Sequence, residues 1–451
     1  MKKIFSYTFI LLNSLLYAQN FSRNKALKDF EFLNQAVVNG HPIIFNPSNK
    51  ININEIVSEL QNLQKDSISY FEYSLLLGKA LQKVGDIHTS VLSNPLLPKV
   101  ETYFPVKLCI LNENLYIVTT NDNTNIGKKV LDINGVEAQK IIAVFSNFKA
   151  SDGGSTNFSQ QYFNLFSQTL IARYFNYPKE YNIQTEDEKL ILNASYTAYK
   201  TDKTKKKFDN IFSNNDNYFT TKDSIGILKM IAFNKNDKTL LTSTFNFLKR
   251  EKINNLVIDL RGNLGGNRNT VAYLAKQIVD TTFTYSIIQP KLKPLKYLTS
   301  RGKFFYFLSK LKYNIGAVFK GQKSELGRKF VYKYQPVKMN YNGKIFVITD
   351  GFTASASTML TSWLKQYSNA TFVGSQAGGG YNGNGGGSFP TVQLPYSKNK
   401  IKFPVYRLVL DEKSTMYQGI IPDIQPLKTI NDIIIGKDIE LETIIKIINP
   451  N

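Results

Sequence analysis

Asp350-Gly-Phe-Thr-Ala-Ser355-Ala-Ser-Thr358 follows an almost wholly apolar run, Lys344 to Thr349, and precedes Met359, Leu360, Trp363 and Leu364. The apolar run reads as a buried strand. The later spacing predicts an amphipathic helix from Ala356 to Tyr367. A serine at such a strand-to-helix turn projects its hydroxyl from the edge of a sheet. It also lies where the free N–H groups of a helix start favour developing negative charge. Ser and Thr are equally the residues that cap helices, so on this stretch alone a structural role competes with a catalytic one.

Working upstream, Asn255 to Leu260 is a second nearly continuous apolar run, as expected of a strand covered on both faces. It ends in Asp259-Leu-Arg-Gly-Asn263-Leu-Gly265-Gly266-Asn267 and is followed by helical spacing from Asn269 to Val279. Paired glycines let backbone N–H groups approach a ligand closely, which is what an oxyanion hole requires. A plain tight turn needs the same residues. With a further strand at Ile225 to Ile231, the repeated order of strand, turn and helix predicts an α/β core over 224–430.

The rest of the chain divides around that core. Helix-like spacing over Asn24 to Asn39 and Asn54 to Val84 makes 19–100 an N-terminal helical region ending at Gly85-Asp86-Ile87-His88-Thr89. Short strands from Phe104 to Ile110, Leu115 to Thr120 and Lys128 to Ile133, the Asn134-Gly135 turn and a helix from Glu137 to Phe145 make 101–150 a small α+β module. Residues 151–223 read as mixed strands and loops, and 431–451 as a C-terminal helix. From Ser286 to Asn340 there are thirteen Lys or Arg and one acid, Glu325, with interleaved aromatics. This basic stretch, 286–340, reads as an insertion in the core. Over 300–320, with Arg301, Lys303, Lys310 and Lys312, it would form either a solvated cover or a peripheral contact with an anionic membrane face.

Composition narrows the function. The 451 residues are 42% hydrophobic and 20% charged, a globular balance, with a net charge of +22. Lys2 and Lys3, an apolar run of about 14 residues and Ala18 read as a signal peptide over 1–18, too short for the ~20 residues of a membrane span. Export, to the periplasm or the exterior, argues against a nucleic-acid partner, and no nucleic-acid-binding motif is present. A lone cysteine, Cys109, and two histidines leave no internal disulfide and little from which to build a zinc site. No metal and no cofactor is implied.

The two glycine- and serine-bearing turns, with Gly419-Ile-Ile-Pro422-Asp423 near the end, resemble the tail-specific or C-terminal processing serine peptidases, peptidase family S41, and their tricorn-type relatives. Gly127-Lys-Lys-Val-Leu-Asp-Ile-Asn134-Gly135 is similar to the PDZ-like domain of that family. The resemblance covers roughly residues 30 to 445. It implies a ClpP/crotonase-like α/β protease core, α+β overall, with a PDZ-like module and an N-terminal helical region. It implies Ser355 as nucleophile, with Ser357 as the fallback, and the backbone N–H groups of Gly266 and Ala356 as oxyanion donors.

The general base separates the branches. One uses a lysine 25 residues after the serine, but that position is Gly380 here, and Lys365 should point elsewhere. The tricorn-like branch uses a histidine, and Gly85-Asp86-Ile87-His88-Thr89 resembles the motif that supplies it. His88 is then the expected base, while His41, before Pro42, reads as a structural turn. The glutamate of that branch falls on Met416, which leaves Asp86, Asp411 or Glu412 to orient the imidazole. The implied function is an exported serine peptidase acting on proteins or peptides. The alternative is a catalytically weak or inactive peptide- or ligand-binding protein on the same scaffold.

Overall fold

The computed structural model describes residues 20–42, 53–97, 99–120, 124–199, 210–324, 326–338 and 340–450; the expected signal peptide lies outside them. At its centre is a six-stranded sheet in the order Phe212–Asn214, Asn217–Lys222, Ile225–Lys229, Asn255–Asp259, Lys344–Thr349, Thr371–Gly374. The first two pairings are antiparallel and the last three parallel, with Leu228 beside Ile258, Ile258 beside Val347 and Val347 beside Phe372. The alternation along each strand assigns its apolar side chains to two faces. Leu228, Ile258, Val347 and Phe372 pack with Met359, Leu360 and Trp363 of the helix Ala356–Tyr367. Ile227, Val257, Phe346 and Val373 pack with Leu441 and Ile444 of the helix Ile439–Ile448. Continuous apolar strands follow from this double covering.

The C-terminal helix is tied to the sheet by charge. Arg261 bonds Asp259 at 2.7 Å, Asp438 at 2.8 Å and Glu440 at 3.2 Å, and Lys229 reaches Asp259 at 2.9 Å. Burial alone would raise the Asp259 carboxyl, but Lys229 and Arg261 outweigh it and hold the group down to about 2. The Asp and Arg of the Asp259-Leu-Arg261 turn are thus structural anchors.

A second, antiparallel sheet runs Gly321–Ser324, Gly327–Tyr334, Phe283–Pro290, Tyr406–Val409, Gly383–Gly386. Trp363 joins it to the core. Its ring lies 4.8 Å from Phe283 and its Nε1–H donates to Thr284 O at 3.0 Å. A fully buried tryptophan with its N–H satisfied is among the largest single contributions a side chain makes, about 3–5 kcal/mol when truncated. The basic stretch 286–340 supplies most of Phe283–Pro290 and all of Gly321–Ser324 and Gly327–Tyr334, with the helix Ser300–Lys320 between the first strand and the other two. Phe304, Phe305, Phe307, Leu308 and Leu311 of that helix are exposed, among Arg301, Lys303 and Lys310. Among the described residues no helix is long and apolar enough to cross a membrane.

The N-terminal region forms three helices, Arg23–Gly40, Asn54–Gln61 and Tyr70–Val84, the last opened by a Ser69/Glu72 capping box and closed by left-handed Gly85. The module beyond it has a sheet in the order Lys107–Leu111, Asn114–Thr119, Lys129–Ile133, Glu180–Thr185, Lys189–Asn193 and its own core around Ile117, Phe145, Phe163 and Tyr181. Asn134 and Gly135 both adopt positive φ, as a two-residue hairpin of this hand requires. The mixed strands and loops expected from residue 151 give way to an 18-residue helix, Asn157–Tyr174. Its period was masked because polar residues face inward. Ser159 donates to Phe145 O, Ser167 accepts from Leu108 N–H, and Gln168 donates to Phe104 O.

Candidate active site

The parallel pairing of Asn255–Asp259 with Lys344–Thr349 brings the two glycine- and serine-bearing turns side by side. Ala354 N–H and Ser357 Oγ both donate to Asn263 O, at 3.1 and 3.0 Å, and Thr353 Oγ1 donates to Leu260 O. Asp350 accepts from Gly262 N–H at 2.9 Å and Gln161 Nε2 at 2.6 Å; burial raises its pKa. These bonds hold Ser355 at φ 57°, ψ −118°, a conformation that costs a non-glycine residue on the order of 1–3 kcal/mol. Gly265, at φ +103°, leaves no room for a side chain, since a Cβ there would lie 2.7 Å from Ala356 N and 2.8 Å from Ser355 Cβ. Gly266 is equally confined, a Cβ falling 2.2 Å from Phe233 O. Gly265 N–H is taken by Asn263 Oδ1, whereas among the described residues no hydrogen bond uses the N–H of Gly266 or Ala356.

His88 arrives from the other side. The helix Tyr70–Val84 ends at Gly85, and the turn that follows is pinned by Asp86, whose Oδ1 accepts from His88 N–H at 2.9 Å and Oδ2 from Gly385 N–H at 2.5 Å. His88 Nε2 then lies 3.0 Å from Ser355 Oγ, across 267 residues of sequence. The ring stacks on Phe389 at 5.0 Å, and the Lys402 ammonium lies 4.3 Å from the centroid of that same phenylalanine ring. Burial lowers the His88 pKa to about 4, with Asp86 opposing and Lys402 reinforcing the shift, so the imidazole is neutral at neutral pH.

Of the three candidate orienting acids, Asp86 is the one beside the histidine. Its Oδ1 is 4.0 Å from His88 Nδ1, which has no hydrogen-bond partner among the described residues. Asp411 instead caps the N–H groups of Lys413 and Ser414, and Glu412 bonds Ser286 and Lys329. Ser357 is fully buried with its hydroxyl spent on Asn263, so Ser355 and not Ser357 meets His88. Lys365 pairs with Asp423 at 2.6 Å, away from the serine. His41 is buried, bonds Thr89 Oγ1 at 2.7 Å, and has its pKa lowered to about 4 by burial. Thr89 donates in turn to Asp86, so His41 buttresses the Asp86 turn.

Sequence reading missed Asp152. One of its oxygens accepts from Ile87 N–H and the other from Gly380 N–H, each at 2.8 Å, lacing the His88 turn to the glycine-rich loop. Burial, then the nearby Asp86 charge, pushes the Asp152 carboxyl up. Gly380 is where one branch carries its lysine, and a Cβ there would lie 2.5 Å from Tyr417 O and 2.7 Å from Gly383 O. The loop has closed over that position. Ser151-Asp152-Gly153-Gly154, an acid followed by paired glycines in an otherwise polar stretch, was the only signal of it.

Ser355 and His88 open on a cavity of about 480 Å³, walled by Leu77, Leu81, Ile87 and Phe158 among others. Among the described residues no group of three His, Cys, Asp or Glu is arranged to hold a metal ion. What this arrangement can do is transfer a hydroxyl proton to a neutral imidazole beside unoccupied backbone donors.

Comparison with known proteins bears on the fold and the family. No curated protein sequence matches the chain. Mature CPAF complexed with lactacystin is similar in structure, at TM-score 0.60 and 13% identity over 95% of this chain and 99% of the other. A mutant of CPAF superposes at TM-score 0.62, also 13% identical, over 94% and 96%. At such identity the likeness shows a shared fold. The model of peptidase family S41 matches residues 224–425, the segment that holds Ser355 and both glycines. The segment 224–425 thus belongs to peptidase family S41, and the protein is a serine-type peptidase.

Proposed function

We propose that the protein is an exported serine peptidase that cleaves peptide bonds of proteins or peptides, with Ser355 as nucleophile and His88 as general base. Gly266 and Ala356 N–H supply the oxyanion hole. The observation that carries this reading is the 3.0 Å contact of His88 Nε2 with the hydroxyl of a serine held at positive φ. Ser355 Oγ attacks the scissile carbonyl carbon as its proton passes to Nε2. The C–N bond then breaks and that proton goes to the leaving amine. Water, deprotonated by the same nitrogen, releases the acyl group as a carboxylic acid. The imidazolium formed in each step faces the Asp86 carboxylate, whose Oδ1 lies 4.0 Å from Nδ1. With no lysine at 380 and a histidine at the serine, the site is nearer to the histidine-using branch. Export rests on Lys2, Lys3 and the apolar run ahead of Ala18.

Fluorophosphonate labelling tests the roles. Wild type is expected to label on Ser355, Ser355→Ala to fall to background, and His88→Ala to label about 10²–10⁴-fold more slowly. Undiminished labelling of Ser355→Ala would place the nucleophile elsewhere.

The pH profile of the same reaction reports the base. His88 acts when neutral, and its pKa is about 4, so the labelling rate should hold from pH 7 to pH 5 and fall below about 4. A midpoint near the ordinary histidine value of about 6.5 would contradict the buried, neutral imidazole.

The helix Ser300–Lys320 is read as a contact to an anionic membrane face, its exposed Phe304, Phe305 and Phe307 entering among headgroups held by Arg301, Lys303 and Lys310. At about 1 kcal/mol per basic residue, losing those three charges costs about two orders of magnitude, so reversing them should weaken sedimentation with phosphatidylserine vesicles by at least that much. Binding that is absent, or unchanged by reversal, leaves the helix as a solvated cover.

A further inference from the structure

The cavity beside Ser355 is lined by Lys149, Arg173 and Lys402 and by no aspartate or glutamate. Lys149 differs from the exposed lysines of this basic chain. Its ammonium lies 4.3 Å from the ring centroid of Tyr162 and 4.9 Å from that of Phe148, and it forms no ion pair among the described residues. Burial, with no neighbouring charge to offset it, pushes the group down to about 8. A desolvated cation without a counter-charge is costly unless something brings one.

Its position is fixed by the fold. The N–H groups of Phe148 and Lys149 both donate to Ser159 Oγ at 3.0 Å, and Phe148 O is wedged against Gly78, where a Cβ would come within 2.4 Å. On the same helix, one residue before Ser159, Phe158 packs edge-on to Phe352 at 5.2 Å, three residues before Ser355. Tyr162, which carries the Lys149 ammonium, follows Phe158 by about one helical turn, roughly 6 Å. The cation and the nucleophile therefore share one concave space with apolar walls, where charge of a single sign acts with little screening.

We propose that this cavity binds a carboxylate of the substrate, with Lys149 as its direct partner and Arg173 and Lys402 supplying the surrounding positive field. This rests on the peptidase reading above and names what its site selects. In a peptide the group is either the terminal carboxylate or an Asp or Glu side chain. A charge-assisted bond to Lys149 serves both.

The test uses two degenerate decapeptide mixtures, one with free and one with amidated C-termini, digested by the full chain and read by mass spectrometry. Wild type should favour a carboxylate at a fixed distance from the cleaved bond by about tenfold. If the terminus supplies it, the preference vanishes in the amidated mixture; if a side chain does, Asp and Glu are enriched in both. Lys149→Met should abolish the preference, chiefly through KM, and Lys149→Arg should keep most of it. Cleavage by wild type without any carboxylate preference, or a preference unchanged in Lys149→Met, overturns the inference while leaving the peptidase reading intact. Wild type that neither cleaves nor takes fluorophosphonate label overturns both.

Discussion

The geometry of the candidate site hangs on the close approach of Gly265 to the Ser355–Ala356 peptide. Two strands, Asn255–Asp259 and Lys344–Thr349, run parallel in adjacent positions and end at the same edge of the sheet. Their exit turns must then occupy one small space. They do so because one turn has no side chain where the other bends, a Cβ at 265 having only 2.7 Å before Ala356 N. That contact fixes the serine in a conformation that strands and helices do not offer, and leaves backbone N–H groups aimed beside its hydroxyl. Asn263 completes the lock: its carbonyl accepts from Ala354 N–H and Ser357 Oγ of the serine turn, and its amide oxygen accepts from Gly265 N–H of its own turn.

The histidine is held by a different logic, one of buried polar groups that satisfy one another. Asp86 fixes the His88 turn, Asp152 fixes Ile87 and Gly380, and His41 and Thr89 back the Asp86 carboxylate. Arg407, buried nearby and bonded to Asn382, places a positive charge behind the two acids. Such a network is expensive to leave half satisfied, which gives the turn its rigidity. Under the proposed mechanism it also accounts for glycine at 380: the space that a lysine there would need is filled by backbone, and the proposed base, His88, enters from the N-terminal region.

The core was legible because its strands are apolar on both faces and its helices amphipathic, so period alone marked Asn255–Asp259, Lys344–Thr349 and Ala356–Tyr367. The helix Asn157–Tyr174 was not, because inward-facing Ser159, Ser167 and Gln168 break the period that burial usually writes. The stretch 286–340 looked separable by charge, yet charge sits on the outward positions of strands whose inward Phe283, Ile287 and Phe330 belong to the core. At the site, Ser355 and the glycines carried local patterns of their own. His88 did not, and only resemblance singled it out from across the chain. Asp152 carried only the faint pattern of an acid before paired glycines, and Phe389 none; their roles come from contacts with Ile87 and Gly380, far along the chain, and from a ring stacked on His88.

A structure of the protein covalently modified at its nucleophile would test this account most directly. The account predicts a phosphonate on Ser355 Oγ with its phosphoryl oxygen about 2.7–3.1 Å from both Gly266 N and Ala356 N, and His88 Nε2 facing the ester oxygen. A modified residue other than Ser355, or a phosphoryl oxygen turned to solvent away from those two N–H groups, would contradict it.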